Sequence, residues 1–202
     1  MGYTETDTRI HILEEAMPLF AAKGYNGVSM RHLARAVNLS SAALYHHFPD
    51  KHTLYLEVMK HSFVDKAHDI MRSGDEASEP VERFEAFIKR LTQVVTEDQI
   101  FRALVMWELL DGDEARLKLV AEEVLLEPFK FVHALIKEMA PDVDHYMHSL
   151  SCIWLVLSHA AAAPMCQFLP GWNASYSAPD VISKHAIQLL KKSVHKSDKL
   201  AK

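Results

Sequence analysis

Apolar residues recur at intervals of three and four along nearly the whole chain, the spacing of one buried face of an α-helix. Ile10, Leu13, Met17 and Phe20 mark a first helix, with Asp7 or Thr8 to cap its start and Gly24 to end it in a left-handed conformation. Ser29 is a good N-cap for a short second helix whose inner side is Met30, Leu33, Ala34 and Val37. Asn38 then stands where the chain must turn, and Asn tolerates the left-handed region better than most residues. Ser40 caps a third helix, Ser41 to His47, with Ala43, Leu44 and Phe48 facing inward. Pro49-Asp50 breaks the chain, and a fourth helix runs from Lys51 to about Arg72 over Leu54, Val58, Phe63 and Ile70.

The stretch Ser73 to Pro80 is a loop by composition, and Val81 to Glu97 resumes the helical period with Phe84, Phe87, Ile88, Leu91 and Val95. Ile100 to Leu110 is strongly apolar and stops at Asp111-Gly112. Asp113 to Met139 reads as one long helix bent near Pro128. Asp142 to Ala163 is the most hydrophobic helix, Pro164 to Pro179 an irregular break, and Asp180 to His195 the last helix before a frayed lysine tail. The pattern therefore predicts an all-α fold of about nine helices without internal repeats. It divides into a three-helix, helix-turn-helix domain at residues 1–50 and a larger helical domain at 51–202.

Composition changes this picture little: 202 residues with 49% apolar and 24% charged is ordinary globular usage. Two cysteines, Cys152 and Cys166, argue against a secreted disulfide framework. The first residues carry acids and lack a signal-peptide core, and no apolar run approaches the ~18–20 residues of a membrane span, so a soluble, cytoplasmic chain is expected. MGYTET fits the loose myristoylation pattern, but no second lipid or basic signal accompanies it. Asn38-Leu39-Ser40 and Asn173-Ala174-Ser175 match the glycosylation sequon, which has no use in a cytoplasmic chain.

Charge matters more once it is divided. The net charge is −5, yet residues 1–51 balance five basic against five acidic side chains. Residues 52–183 carry −10 and the last nineteen residues +5. From Arg31 to Lys51 there are three cations (Arg31, Arg35, Lys51) and one acid, with His32, His46 and His47 among them. An acidic body repels a phosphate backbone, so any DNA contact is confined to that patch.

The second and third helices are joined by the tight turn Val37-Asn38-Leu39, which is the form of a helix-turn-helix. A helix entering the major groove needs small, polar residues at its N-terminal end, and Ser40, Ser41, Ala42 and Ala43 meet that need. Residues 28–58, VSMRHLARAVNLSSAALYHHFPDKHTLYLEV, resemble the N-terminal domain of the TetR family of bacterial repressors, as does the preceding Phe20-Ala-Ala-Lys-Gly-Tyr. The run Leu44-Tyr45-His46-His47-Phe48 with Lys51 three positions later carries most of that likeness, which spans roughly residues 8–60. Asn38 stands where the family usually has Gly. Ser41 and Ala42 replace its frequent Lys or Gln and Gly or Pro, so the operator is not inherited from relatives. The resemblance implies that Ser29, Tyr45, His47 and Lys51 bind phosphates, with Ser40 at the cap and His46 beside them. It places Arg31, Ser41, Ala42 and Ala43 nearest the base edges. A packed core aromatic is the alternative for Tyr45, and a solvated helix face for Arg35.

The same resemblance implies a larger half that dimerises and holds a small-molecule inducer. The last two long helices can form a two-fold four-helix bundle, with Ile153, Trp154, Leu157, Ala160, Ala161, Ile187 and Leu190 as seam or as core. Phe101, Leu104, Met106, Trp107, Phe129, Met147, Trp154, Met165 and Phe168 make an aromatic and methionine-rich set that suits an adaptable pocket or an ordinary core. Glu108, an acid in an apolar helix, is either exposed, or buried against Arg102 or a cationic ligand. His145, Cys152, His159 and Cys166 recur every seven residues, about 10.5 Å apart along a helix, too far to chelate one ion. His145, His148 and Cys152 could share a metal only with a ligand from elsewhere, and bundle packing is the simpler role.

No G-x-S-x-G, H-E-x-x-H, P-loop or G-x-G-x-x-G motif is present, so no enzyme class is indicated and no cofactor or metal is implied. The reading is a homodimeric, ligand-responsive transcriptional regulator. Its rival is a helical adaptor for other proteins, which would have no affinity for DNA.

Overall fold

Caps and left-handed residues set the helix boundaries. In the computed structural model, which describes residues 5–200 with side chains at 5–123 and 125–192, ten α-helices and no strand occur among the described residues. The first four residues of the MGYTET pattern and residues 201–202 lie outside what is described, and of residues 193–200 only the backbone is described. The helices are α1 (Glu5–Lys23), α2 (Met30–Ala36), α3 (Ser41–His47), α4 (Lys51–Arg72), α5 (Pro80–Glu97), α6 (Gln99–Asp111), α7 (Glu114–Val120), α8 (Leu126–Met139), α9 (His145–Cys166) and α10 (Pro179–Leu200).

Three departures from the sequence reading have local causes. On α1 the buried face is Ile12, Leu13, Ala16 and Phe20, while Ile10 is 40% exposed. Ile10 lies about 200° around the helix from Ile12, so it cannot share that face. The long helix expected at 113–139 is two helices joined by a π-helical turn at Ala121–Leu125. Pro128 follows that turn, and a proline there has no N–H for the carbonyl four residues back, so the ladder widens before it. Finally, α9 starts at the Asp144 cap, whose carboxylate accepts the Met147 amide at 3.0 Å, and runs through Pro164 to Cys166. The expected irregular break shrinks to a turn and a 3₁₀ segment, Ala174–Ser177, and α10 extends past His195 to Leu200.

Two compact units emerge from the packing: residues 1–65 with 100–124, and residues 66–99 with 125–202. In the first, α1, α2 and α3 enclose Phe20, Leu33, Leu44 and Phe48 with Leu54, Tyr55 and Val58 of α4, all buried. In the second, α5, α8, α9 and α10 pack on one another around Phe84, Phe87, Ile88, Val132, Ile136 and Val156. Over its 22 residues α9 carries no Asp, Glu, Lys or Arg, and an 18-residue stretch within it reaches a mean hydropathy of 1.4, long and apolar enough to cross a membrane by length and composition. It is no continuous apolar run, since His148, Ser149, Ser151, Ser158 and His159 interrupt it, and α9 packs here against α5, α8 and α10.

Gly24 is required twice over. Its φ is +67°, which side-chain-bearing residues rarely adopt, and a Cβ there would lie 2.9 Å from the Trp107 ring. Gly24→Ala is expected to destabilise the first unit by about 2–4 kcal/mol, the sum of left-handed strain and overpacking, read as a lower midpoint in urea. An unchanged midpoint would mean that the indole moves aside and the strain is relieved elsewhere.

Candidate nucleic-acid interface

The α2–α3 pair is built as its residues require. The Ser29 hydroxyl accepts the His32 amide at 3.2 Å, and the Ser40 hydroxyl accepts the Ala43 amide at 3.1 Å, so each helix has an N-cap. Between them Asn38 adopts φ 54°, its amide donates to the Arg35 carbonyl, and the Leu39 amide donates to that of Ala34. This is a Schellman closure with asparagine in the place glycine usually takes.

On α3, Leu44 and the capping Phe48 are fully buried and anchor the helix, while its other side faces solvent. Arg9 of α1 locks the C-terminal end: its guanidinium lies 4.2 Å from the centre of the Phe48 ring, donates to the His47 carbonyl and pairs with Glu57 of α4. Ser29, Arg31, Ser40, Ser41, Ala42 and His46 are exposed, and Ala43 and His47 are half-buried. Tyr45 is 50% exposed, which removes the packed-core alternative within the chain. Arg35 is exposed as well. The arrangement presents a small, neutral helix end with the hydroxyls of Ser29, Ser40 and Ser41, the Tyr45 phenol and the guanidinium groups of Arg31 and Arg35 exposed.

Lys51 is placed differently from a free phosphate ligand. Its ammonium donates to the Tyr25 and Val28 carbonyls at 3.0 and 3.1 Å and lies 4.0 Å from the centre of the Tyr25 ring. Two of its three protons are thus committed to the loop before α2, and one remains. Burial, then the positive charge of Arg116, hold the ammonium below the ordinary lysine value, with Asp111 opposing.

The same Tyr25 ring carries the Arg116 guanidinium, 4.3 Å from its centre, and burial raises the phenol above the usual tyrosine range. Arg116 is buried and donates to both Glu108 carboxylate oxygens at 3.3 Å and to Asp111 at 3.0 Å, with Asp113 at 3.4 Å. Glu108, 2% exposed, also accepts the Tyr55 hydroxyl at 2.5 Å. Burial and that bond raise the Tyr55 phenol far above its ordinary value, so it stays a donor. Glu108 therefore meets Arg116 rather than Arg102. Tyr25, Tyr55 and Arg116 were not singled out by sequence reasoning, and only the acid at 108 in the apolar α6 hints at them.

The eight candidate ligand-binding residues divide between the units. Phe101 and Leu104 are core of the first, with Phe101 4.4 Å from Phe63 between ring centres. There Trp107 donates to the Ala21 carbonyl at 2.9 Å and Glu108 belongs to the ion-pair network. In the second, half-buried Phe129 packs edge-on to Tyr146 and stacks on His133, and Trp154 is half-buried. Met147 and Phe168 are exposed, Phe168 by 82%. A cavity of about 590 Å³ in this unit is lined by residues of α9, the turn after it, the 3₁₀ segment and α10, among them His159, Cys166, Trp172, Tyr176 and His185. None of the eight lines it. Of the seam residues, Leu157, Ala160, Ile187 and Leu190 are intramolecular core, and Ile153, Trp154 and Ala161 are half-buried.

The seven-residue His/Cys series has structural partners. His145 donates from Nε2 toward the Ala140 and Pro141 carbonyls, and His159 from Nδ1 to that of Leu155. Burial pushes the Cys152 thiol up to about 12, so it stays protonated and unreactive near neutrality. Among the described residues no group of three or more His, Cys, Asp or Glu is placed to hold a metal ion.

Known proteins bear directly on this geometry. Residues 12–58 match the family model described as bacterial regulatory proteins, tetR family. An uncharacterised HTH-type transcriptional regulator of Bacillus subtilis (strain 168), YxaF, is 28% identical over 125 residues, 61% of this chain and 65% of its own. The HTH-type transcriptional repressor AcnR of Corynebacterium glutamicum is 32% identical over 109 residues, 50% and 58% of the two chains. The chain thus spans less than two thirds of the length of these relatives. Among solved structures, AibR in complex with isovaleryl coenzyme A and operator DNA superposes with a TM-score of 0.71 at 21% identity, over 90% of this chain and 97% of that one. That superposition establishes the fold across both units, and the matched segment contains the whole α2–α3 element and its anchors. Over residues 12–58 the chain is therefore similar to the tetR family of bacterial regulatory proteins, and beyond them the likeness is one of fold.

Proposed function

We propose that the chain is a ligand-responsive transcriptional regulator, a repressor that binds a palindromic operator as a homodimer and is released by a small-molecule inducer. The observation that carries this reading is the first turn of α3: Ser40, Ser41 and Ala42 stand exposed on a helix whose opposite side is pinned by Leu44 and Phe48. Residues 1–50 read the operator and residues 51–202 dimerise and take the inducer. Arg31, Ser41, Ala42 and Ala43 face base edges, and Ser29, Tyr45, His46, His47 and the third proton of Lys51 face phosphates. Dimerisation through α9 and α10 sets the two copies of α3 about 34–36 Å apart, one turn of DNA. Inducer binding favours a spacing that no longer fits both half-sites, and the coupling is reciprocal. The protein works in the cytoplasm and catalyses no reaction.

The test is fluorescence anisotropy with a duplex from upstream of the chain's own gene against a scrambled duplex, across a salt series. Tight binding to the native fragment alone, weakening steeply with salt and lost in Tyr45→Ala dimers, is the expected result. Equal affinity for both duplexes, or no effect of Tyr45→Ala, overturns it. Acyl-coenzyme A thioesters, the ligand class bound by AibR, are the first compounds to add.

A further inference from the structure

A chain of contacts links the buried acid of α6 to the residues that lead into α2, and each link lies within the first unit. Glu108 of α6 holds Arg116 of α7. Arg116 lies on the Tyr25 ring, Lys51 lies on the same ring, and Lys51 ties down the Tyr25 and Val28 carbonyls. Val28 is followed at once by Ser29, the cap of α2, and Lys51 opens α4. Asn26 of the same loop donates to Asp111 at 3.3 Å, so α6 grips this loop at two points.

This linkage is unusual for a core. Arg116 is 5% exposed at its side chain and faces three carboxylates, where one would satisfy its charge. A buried ion pair contributes little net stability compared with apolar residues of the same size, but it fixes geometry, because a guanidinium fork and a carboxylate match in few orientations. What is fixed here is the plane and position of the Tyr25 ring. That ring in turn limits where the Lys51 ammonium can sit and therefore which way its third proton points.

We infer that Arg116, held by Glu108, is a positioning residue for DNA binding: through the Tyr25 ring it sets the 25–28 loop and the Lys51 ammonium, and so the approach of α2 and α3 to phosphate, without touching DNA. The inference rests on the DNA-binding reading proposed above. It also supplies that reading with a lever, since a displacement of α6 or α7 reaches the helix-turn-helix through this ring.

The experiment uses the full chain and the tightest duplex that the wild type recovers from a randomised pool. Arg116→Met alone leaves a buried carboxylate, so the informative variant is Arg116→Met with Glu108→Gln, which keeps an acceptor for the Tyr55 hydroxyl and removes both charges. Tyr25→Leu removes the ring, and the triple variant combines the changes. Binding is measured across a salt series, with the thermal midpoint of each variant. The double variant is expected to bind about ten- to thirtyfold more weakly, and its log–log salt slope to fall by about one, the signature of a lost phosphate contact. Tyr25→Leu is expected to do the same, and the triple variant to lose no more than either. A purely structural role moves the thermal midpoint and leaves the salt slope unchanged, which overturns the inference, as do additive losses in the triple variant or unchanged affinity in the double. A wild type that recovers no duplex from the pool removes the DNA-binding reading itself and this inference with it.

Discussion

Arg116→Met is expected to destabilise the first unit by about 3–5 kcal/mol, the typical cost of removing one partner from a buried ion pair. The substitution is nearly neutral in volume, so little of that cost comes from a cavity. It comes from Glu108, which is 2% exposed and would keep only the Tyr55 hydroxyl as a donor. Adding Glu108→Gln in the same chain should restore most of the loss, because the amide oxygen still accepts the phenol and no charge is left in the interior. Urea unfolding of wild type, single and double variants decides the matter. A double variant as unstable as the single one would mean that Arg116 contributes mainly through Asp111, Asp113 and the face of Tyr25.

The pairing of Glu108 with Arg116 illustrates where sequence reasoning stops. An acid flanked by Trp107 and Leu109 announces a buried or special group, but not its partner. Arg102 stands on the same helix, six residues away, and that spacing turns it about 240° from Glu108. Arg116 returns to Glu108 only because Gly112, at φ +63°, turns the chain between α6 and α7. Local rules end at such a turn, since nothing in the residue spacing fixes the angle at which the next helix leaves.

Where the rules are local, the chain is legible. Ser29, Asn38 and Ser40 each act through atoms two to four residues away, so the caps and the left-handed turn of α2–α3 can be read from their types. The aromatic and methionine set lies at the other extreme. Helical spacing tells that Phe101, Leu104 and Phe129 leave the solvent face of their helices, but core and pocket use the same residues, and only the packing separates Phe101 on Phe63 from Phe168 in solvent. The turn before Pro128 is intermediate: its place follows from the missing N–H, whereas its π-helical form does not follow from the residue types alone.

The largest functional effect is expected from Ala42→Asp. Ala42 is exposed in the first turn of α3, where a carboxylate favours the helix by about 0.3–1 kcal/mol through the unpaired amides and the macrodipole. Folding should therefore be unharmed, and the thermal midpoint equal to that of wild type or slightly above it. The same carboxylate would be carried into the groove between two phosphate strands, next to base edges that offer it few donors. Operator affinity is expected to fall at least a hundredfold at low salt, with the dimer intact by sedimentation, and raising the salt should narrow the gap as the repulsion is screened. Ala42→Ser serves as the size control and should stay within about tenfold of wild type, since it adds no charge and forfeits at most one methyl contact, about 0.8 kcal/mol. Full operator affinity in Ala42→Asp would remove α3 from the groove, and with it the assignment of Arg31, Ser41, Ala42 and Ala43 to base edges.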